Sequence, residues 1–494
     1  MLGCTDASAA ALGGSSNNFP PGRPKVRFAQ RRLLECMLLL SGVPLLALSG
    51  CGRGAASPAA PRPLTVLVSA ETAGWIVPCG CSVKQAGGLL RRASYAKQVA
   101  TTADVLLADA GGAPGGAALY DLDKFRAMLR GERLMGLAAH NLGAAELELG
   151  PEFLKQVEAE VPFVSANSAL SSGGALAPPY RLCQVGDRRV LVVGVVSPQF
   201  ATTEIQVSDA AGAVLKVLRE ATAPRDLVLV LAFLPEDELR DLARQVPEVD
   251  LFVGGPTPQS IPPQRSGRSW LAAVANKGKF LARFDGHPQE ARLEWAGSIV
   301  ELGPDIADDP TQNDNLNRWR QALLERDFHA DETGFAPMLP PNLPADYRLA
   351  AEQSCRECHP GDHETWAESQ HAHAWQTLVT VKAHGDSYCQ QCHTTGYGLP
   401  GGFQSLAQST AQVNVSCESC HGPSQAHANR PATKTPLVAR DQCVKCHDPE
   451  NDPEFDFATY WPQIEHGAEP AAGTAPQAGT AADEVDADSV KEMP

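Results

Sequence analysis

The sequence predicts two folded parts of different class: an α/β domain over residues 64–303, then a mostly α-helical part with little regular secondary structure over residues 351–467. Three observations carry this. Val- and Leu-rich runs of strand length recur through the first part and alternate with segments whose apolar residues repeat at helical spacing. Four Cys-x-x-Cys-His motifs fall within the second part. All but three of the chain's 13 histidines also lie there.

Residues 1–22 are rich in Gly, Ser and Ala and read as an extension. A basic stretch over 23–32 leads into the apolar run 33–48, which is too short and too broken by Pro and Gly for a comfortable spanning helix. The run ends in Leu48-Ser49-Gly50-Cys51, which resembles the lipobox of a bacterial lipoprotein signal. Residues 1–50 are therefore expected to be extension and signal peptide, with Cys51 the lipidated residue. Acyl chains there give membrane affinity to an otherwise soluble body on the periplasmic side of a bacterial membrane. An ordinary signal peptide or an uncleaved anchor is the alternative; every version exports the chain. Gly52, rather than an acidic residue, follows the cysteine, and by resemblance a Gram-negative host would sort such a protein to the outer membrane. Residues 51–63 form a Gly/Ala/Pro-rich tether.

Strands are expected at 64–68, 105–107, 190–195, 227–231 and 250–253, and helices at 121–135, 209–220 and 235–246. Continuous apolar strands flanked by helices belong to a sheet buried on both faces. Residues 304–350 read as a connector with one helix over 313–326 and a Pro-rich stretch over 337–344. Residues 468–494, of Ala, Gly, Pro and acidic character, read as a disordered tail.

The motifs are Cys355-x-x-Cys358-His359, Cys389-x-x-Cys392-His393, Cys417-x-x-Cys420-His421 and Cys443-x-x-Cys446-His447. This is the spacing at which c-type haem is attached: two thiols bond the vinyl groups, and the next histidine lies under the iron. Structural zinc is the alternative, but zinc does not require a histidine at the same offset every time. Four covalently bound c-type haems are therefore expected, with His359, His393, His421 and His447 proximal. At about 30 residues per haem the rings cannot be buried separately and must pack on one another. Six further histidines, His363, His371, His373, His384, His427 and His466, supply candidates for the opposite iron faces. His371 and His373, two apart in a helical-looking segment, point to nearly opposite faces, so one of them reaches a given iron.

The net charge of -16 argues against nucleic acid, which needs a basic face. Of 14 cysteines, eight serve haem and Cys51 serves lipid, while Cys4 and Cys36 lie in or before the signal. Cys79, Cys81 and Cys183 remain, and either of the first two is a candidate partner for the third.

Two resemblances follow from these residues. Over most of 64–303 the order of motifs resembles the metallophosphatase domain of 5'-nucleotidases. It is carried by Val68-Ser69-Ala70-Glu71-Thr72-Ala73-Gly74, Gly87-Gly88-Leu89-Leu90-Arg91-Arg92, Leu107-Ala108-Asp109-Ala110-Gly111-Gly112, Gly143-Ala144-Ala145-Glu146, Val164-Ser165-Ala166-Asn167 and Gly254-Gly255-Pro256-Thr257-Pro258. It implies an α/β metallophosphatase-like sandwich. The positions at which that family binds two metals are mostly lost: Ala73, Gly112, Ala144-Ala145, Ala232-Phe233, Pro256 and Pro258 stand where its ligands stand. Such side chains cannot ligate a cation, and Glu71 with Glu146 cannot hold two metals rigidly, so no phosphoester hydrolysis is expected.

Residues 351–467 resemble the cytochrome c-554 type of tetrahaem protein. The match includes Trp366-x-x-Ser369-x-His371, Cys392-His393-Thr394-Thr395-Gly396-Tyr397-Gly398, Cys420-His421-Gly422-Pro423 and Ile464-x-His466-Gly467. The resemblance implies distal ligation by His371, His427 and His466. It leaves the haem on His393 without a distal histidine; His384, just before Cys389, reaches the far side of that ring only with difficulty. The functional expectation is electron transfer with redox partner proteins, either other cytochromes or a quinol-linked complex. The alternative is an oxidoreductase acting on a small nitrogen compound at the open haem, and a disfavoured third reading is a metal-dependent phosphohydrolase or nucleotidase.

Overall fold

The computed structural model describes residues 3–6, 62–78, 85–289 and 292–467. Cys36, Cys51, Cys79, Cys81, the tether up to residue 61 and the tail from 468 lie outside the described residues. The chain divides into two compact units, Met1–Ala322 and Leu323–Pro494.

The first unit holds two large sheets. One runs in the order Arg292–Glu301, Phe280–Gln289, Leu64–Ser69, Asp104–Asp109, Ala139–Asn141, Phe163–Val164. The other runs Gly3–Asp6, Tyr180–Val185, Arg188–Val196, Leu227–Phe233, Leu251–Gly255, Ser269–Ala273, Ile261–Ser266. Their central strands are parallel, as crossover helices require: Leu64–Ser69 with Asp104–Asp109, and Leu227–Phe233 with both of its neighbours.

Alternate residues of each strand decide which layer they fill. Val66, Val68, Leu106 and Ala108 of one sheet share a single apolar core with Val190, Val192, Leu229, Leu231 and Val253 of the other. The opposite faces are covered by helices. Leu67 and Leu107 pack with Tyr95 of helix Leu89–Ala100, while Val193, Val228 and Val230 pack with Val214, Val217, Leu239 and Leu242 of helices Ala210–Glu220 and Glu236–Gln245. The result is a helix–sheet–sheet–helix sandwich, the α/β class expected. Gly3–Asp6 pairs antiparallel with Tyr180–Val185, and Cys183 of the latter strand is buried.

The second unit begins earlier than residue 351. The segment after helix Pro310–Arg326 packs into this unit: Ala330 joins Tyr397 and Phe403 in a small core, and the Asp327 carboxylate accepts from the Leu406 and Ala407 amides. Regular structure is limited to short helices and 3-10 turns. The buried apolar cluster around Ala330, Tyr397 and Phe403 is too small to hold together a chain of this length without a further apolar body.

Candidate functional site

Each motif sits on one turn of helix, which puts the two cysteines on the same face with the histidine directly after. Helix Glu352–Cys358 ends at His359, whose amide donates to the Cys355 carbonyl at 2.9 Å. Helix Ser387–His393 starts at Asp386, whose side chain accepts from the Tyr388 amide. Helix Cys417–His421 carries Glu418, whose buried carboxylate accepts from the amides of Ala350, Ala351 and Ser424, tying the chain ahead of the first motif to the third. The fourth motif lies on the 3-10 turn Cys443–Lys445, closed by the His447 amide on the Cys443 carbonyl. None of the eight motif cysteines forms a disulfide. Cys355 lies within hydrogen-bond reach of Cys417, and Cys446 of Cys392, so motifs one and three adjoin, as do two and four.

The histidines form three facing pairs. His359 and His427 have ring centroids 6.2 Å apart, His371 and His447 6.2 Å, and His421 and His466 6.0 Å. An imidazole nitrogen binds a first-row metal at about 2.0–2.1 Å and its ring centre lies about 1.1 Å further out, so two rings on opposite faces of one iron are about 6.3 Å apart. Among the described residues no histidine ring faces His393 in this way.

The outer nitrogens fit the same arrangement. A metal-bound imidazole uses one nitrogen for the metal and donates the other N–H to a fixed acceptor. The Nδ1 of His393 donates to the Ala374 carbonyl at 2.8 Å, that of His427 to Thr433 at 2.7 Å and that of His466 to Ile464 at 2.8 Å. His447 donates to the Asp452 carboxylate at 2.7 Å, and His359 lies 3.3 Å from that of Asp362. In all five Nε2 is left for a metal, so these residues fit haem.

The remaining histidines are placed elsewhere. His363 is engaged by Glu352 and packs edge-on against Trp366. His373 is exposed. His384 packs edge-on against Trp375, with its Nδ1 buried and without a hydrogen-bond partner.

In the first unit the ends of the parallel strands carry no such constellation, and among the described residues no group of three His, Cys, Asp or Glu side chains could hold a metal. Phe233 fills the place instead. A Cβ on Gly112 would stand 2.8 Å from its ring and one on Gly143 2.7 Å, so both glycines are required by the close approach of the aromatic. Phe200 packs edge-on against the same ring. Glu146 accepts from the amides of Gly112, Ala113 and Gly143 and from His140, leaving it no role as a cation ligand. Glu71 stands apart with a left-handed φ of 48°, and burial raises its pKa against the Thr257 amide that it accepts from.

Behind these residues lies a fully buried charge cluster that the sequence reading did not anticipate. Arg92 donates to Ser69 and Thr72 and lies 3.5 Å from Asp109 and 4.0 Å from Glu132; His140 bridges Glu132 at 2.8 Å and Glu146 at 3.2 Å. Burial pushes the Asp109 carboxyl from 3.8 to about 6, against the pull of His140, Arg92 and Ser69. Burial opposes charge on His140 too, but Glu132, Glu146 and Asp109 raise it well above 6.5. For Glu146 burial is outweighed by His140 and the backbone amides, and its pKa is lowered from 4.5.

The signs give a pH profile. A raised folded pKa contributes stability that is full below the unfolded value and lost as pH rises through the folded one. Asp109 therefore loses its contribution as pH rises toward about 6, and His140 loses its own above 6.5. Glu146 acts oppositely, losing its contribution as pH falls below 4.5. The melting temperature of the α/β unit is expected to be highest between pH 3.8 and 4.5 and to fall toward pH 8. A profile that rises from pH 5 to 8 contradicts this assignment.

The second unit thus carries four Cys-x-x-Cys-His turns and three facing histidine pairs, and the first is a two-sheet α/β sandwich. Residues 354–422 match the family described as "Cytochrome c554 and c-prime". Over 97 residues the chain is 30% identical to cytochrome c-554 of Nitrosomonas europaea, covering 17% of this chain and 41% of that protein. The sandwich is similar to a 5'-nucleotidase precursor of Thermus thermophilus (22% identity, TM-score 0.45, 54% of this chain and 60% of that one). It is also similar to the sulfate thiohydrolase SoxB of the same organism (17% identity, TM-score 0.46, 54% and 61%). The chain thus spans about two fifths of the curated relative and three fifths of these two solved chains.

Proposed function

We propose that this protein is an exported, membrane-anchored tetrahaem c-type cytochrome that transfers electrons, with the α/β unit as a non-hydrolytic scaffold or docking module. The observation that carries this reading is the set of three facing histidine pairs, one for each of His359, His421 and His447. Bound haem supplies one-electron chemistry. The chain's own residues hold and orient it: Cys355 and Cys358, Cys389 and Cys392, Cys417 and Cys420, Cys443 and Cys446 as thioether donors, with His427, His371 and His466 as distal ligands. The adjoining thiols of motifs one and three, and of two and four, support closely packed rings suited to electron hopping. Purified full-length protein should contain four covalent haems in a pyridine haemochrome assay. Near one haem, or zinc in place of iron, rules the reading out.

The redox partners are other cytochromes or a quinol-linked complex; the acidic chain argues against nucleic acid. Lipidation at Cys51 supplies the anchor, and Cys51→Ser should release the holoprotein from membranes. Retention of the variant in the membrane contradicts lipidation. No helix among the described residues is long and apolar enough to cross a membrane.

A second reading, an oxidoreductase acting on a small nitrogen compound, is favoured by one observation: among the described residues His393 has no facing histidine. Phosphoester hydrolysis is not part of either reading, since Phe233 packs on Gly112 and Gly143 and Glu146 is committed to backbone amides. Full-length protein supplied with Mn, Zn or Co should leave nucleotides intact. Robust metal-dependent activity that disappears in Glu71→Gln is the contrary result.

A further inference from the structure

Among the histidines that fit haem, His447 has the closest anionic partner. Its Nδ1–H donates to Asp452 at 2.7 Å, whereas His393, His427 and His466 donate to neutral backbone carbonyls and Asp362 stands 3.3 Å from His359. The contact is built in. Asp448 accepts from the amides of Glu450 and Asn451 and from the Asn451 side chain, and its carbonyl accepts from the Asp452 amide, which fixes the turn carrying the carboxylate. Phe455 stacks on the His447 ring at 4.7 Å and 19°, which fixes the ring plane.

We propose that Asp452 is a positioning residue that lowers the reduction potential of the haem held by Cys443, Cys446 and His447, making it the electron donor to the haem held by Cys389, Cys392 and His393. The inference rests on the tetrahaem reading above. A carboxylate on the outer N–H pushes electron density through the imidazole toward Nε2, which favours ferric over ferrous iron. A neutral carbonyl does this less, and a carboxylate at 3.3 Å does it more weakly than one at 2.7 Å. Cys446 and Cys392 adjoin, so the two attachment sites are neighbours. With haem bound, a lowered potential at the site held by Cys443, Cys446 and His447 would favour passage of one electron from its ferrous iron to ferric iron at the site held by Cys389, Cys392 and His393. The flow that Asp452 favours therefore runs toward the position that lacks a facing histidine, as a reductive reaction there requires.

Potentiometric titration of the full-length holoprotein tests this. Asp452→Asn keeps an acceptor of the same shape and removes the charge. It should shift one of the four redox components upward by at least about tenfold in its equilibrium constant, or about 59 mV. Asp452→Ser, a second charge-removing variant, should move the same component, and Asp452→Glu should leave it near its original position. Asp362→Asn should shift its own component by less. Four haems per chain with all four components unmoved, or a Glu variant that moves as far as the Asn variant, overturns the proposal while leaving the tetrahaem reading intact. A haem count below four in the unmutated protein instead removes the reading on which the proposal rests.

Discussion

Arg92→Met is expected to destabilise the α/β unit by about 3–5 kcal/mol, the range for removing one partner of a buried ion pair. The guanidinium is wholly buried, donates to Ser69 and Thr72, and is flanked by Asp109 and Glu132. Methionine fills similar volume, so cavity formation contributes little. Without Arg92, His140 is the remaining cation beside Asp109 and Glu132, and the two hydroxyls lose their donor. Calorimetry of the full-length chain, read on the transition of this unit, should show the loss. A change below about 1 kcal/mol would mean that the carboxylates are neutral in the folded protein and that the cluster is held by hydrogen bonds rather than charge.

His371→Ala is expected to open a second iron. Its ring faces His447 at 6.2 Å, and its backbone is held independently by the Val415 amide on the His371 carbonyl, so the truncation should act locally. His373, two residues on, is exposed and poorly placed to substitute. The iron at His447 should pass from six- to five-coordinate, with high-spin features in resonance spectra and carbon monoxide uptake rising from about one haem in four to about two in four. Unchanged uptake with unchanged low-spin spectra would show that His371 is not a ligand.

Much of the α/β unit was legible because its central strands are continuous apolar runs. The strand expected at 227–231 is Leu227–Phe233, and the helix expected at 209–220 is Ala210–Glu220. The strands Ala139–Asn141 and Phe163–Val164 were not, because two or three residues carry no periodicity. The hairpin Phe280–Gln289 with Arg292–Glu301 was missed because its outer strand alternates weakly and is largely exposed. Residues from Leu323 onward look like a linker in sequence, yet Ala330 and Asp327 find partners some seventy to eighty positions later.

The four proposed attachment sites stood out because Cys-x-x-Cys-His is a local pattern. Opposite faces are not local: His371 meets His447 across 76 positions, and the resemblance implied a distal role for His371 without naming the histidine it faces. The charge cluster was invisible for the same reason. Glu132 near the end of a helix and His140 at the start of a strand look like surface residues until the fold brings Arg92 and Asp109 beside them. The loss of metal ligands was readable residue by residue, but not the packing of the Phe233 ring on Gly112 and Gly143.

Carbon monoxide titration of the reduced full-length holoprotein tests the central claim most directly. Three irons held between histidine pairs should resist the ligand and the iron at His393 should take it, giving one carbon monoxide per four haems and a high-spin signature that disappears on saturation. Uptake by all four haems, with no six-coordinate low-spin iron in resonance spectra, would contradict the three histidine-ligated irons on which the reading stands, while no uptake at all would remove only the open position at His393 and with it the oxidoreductase reading.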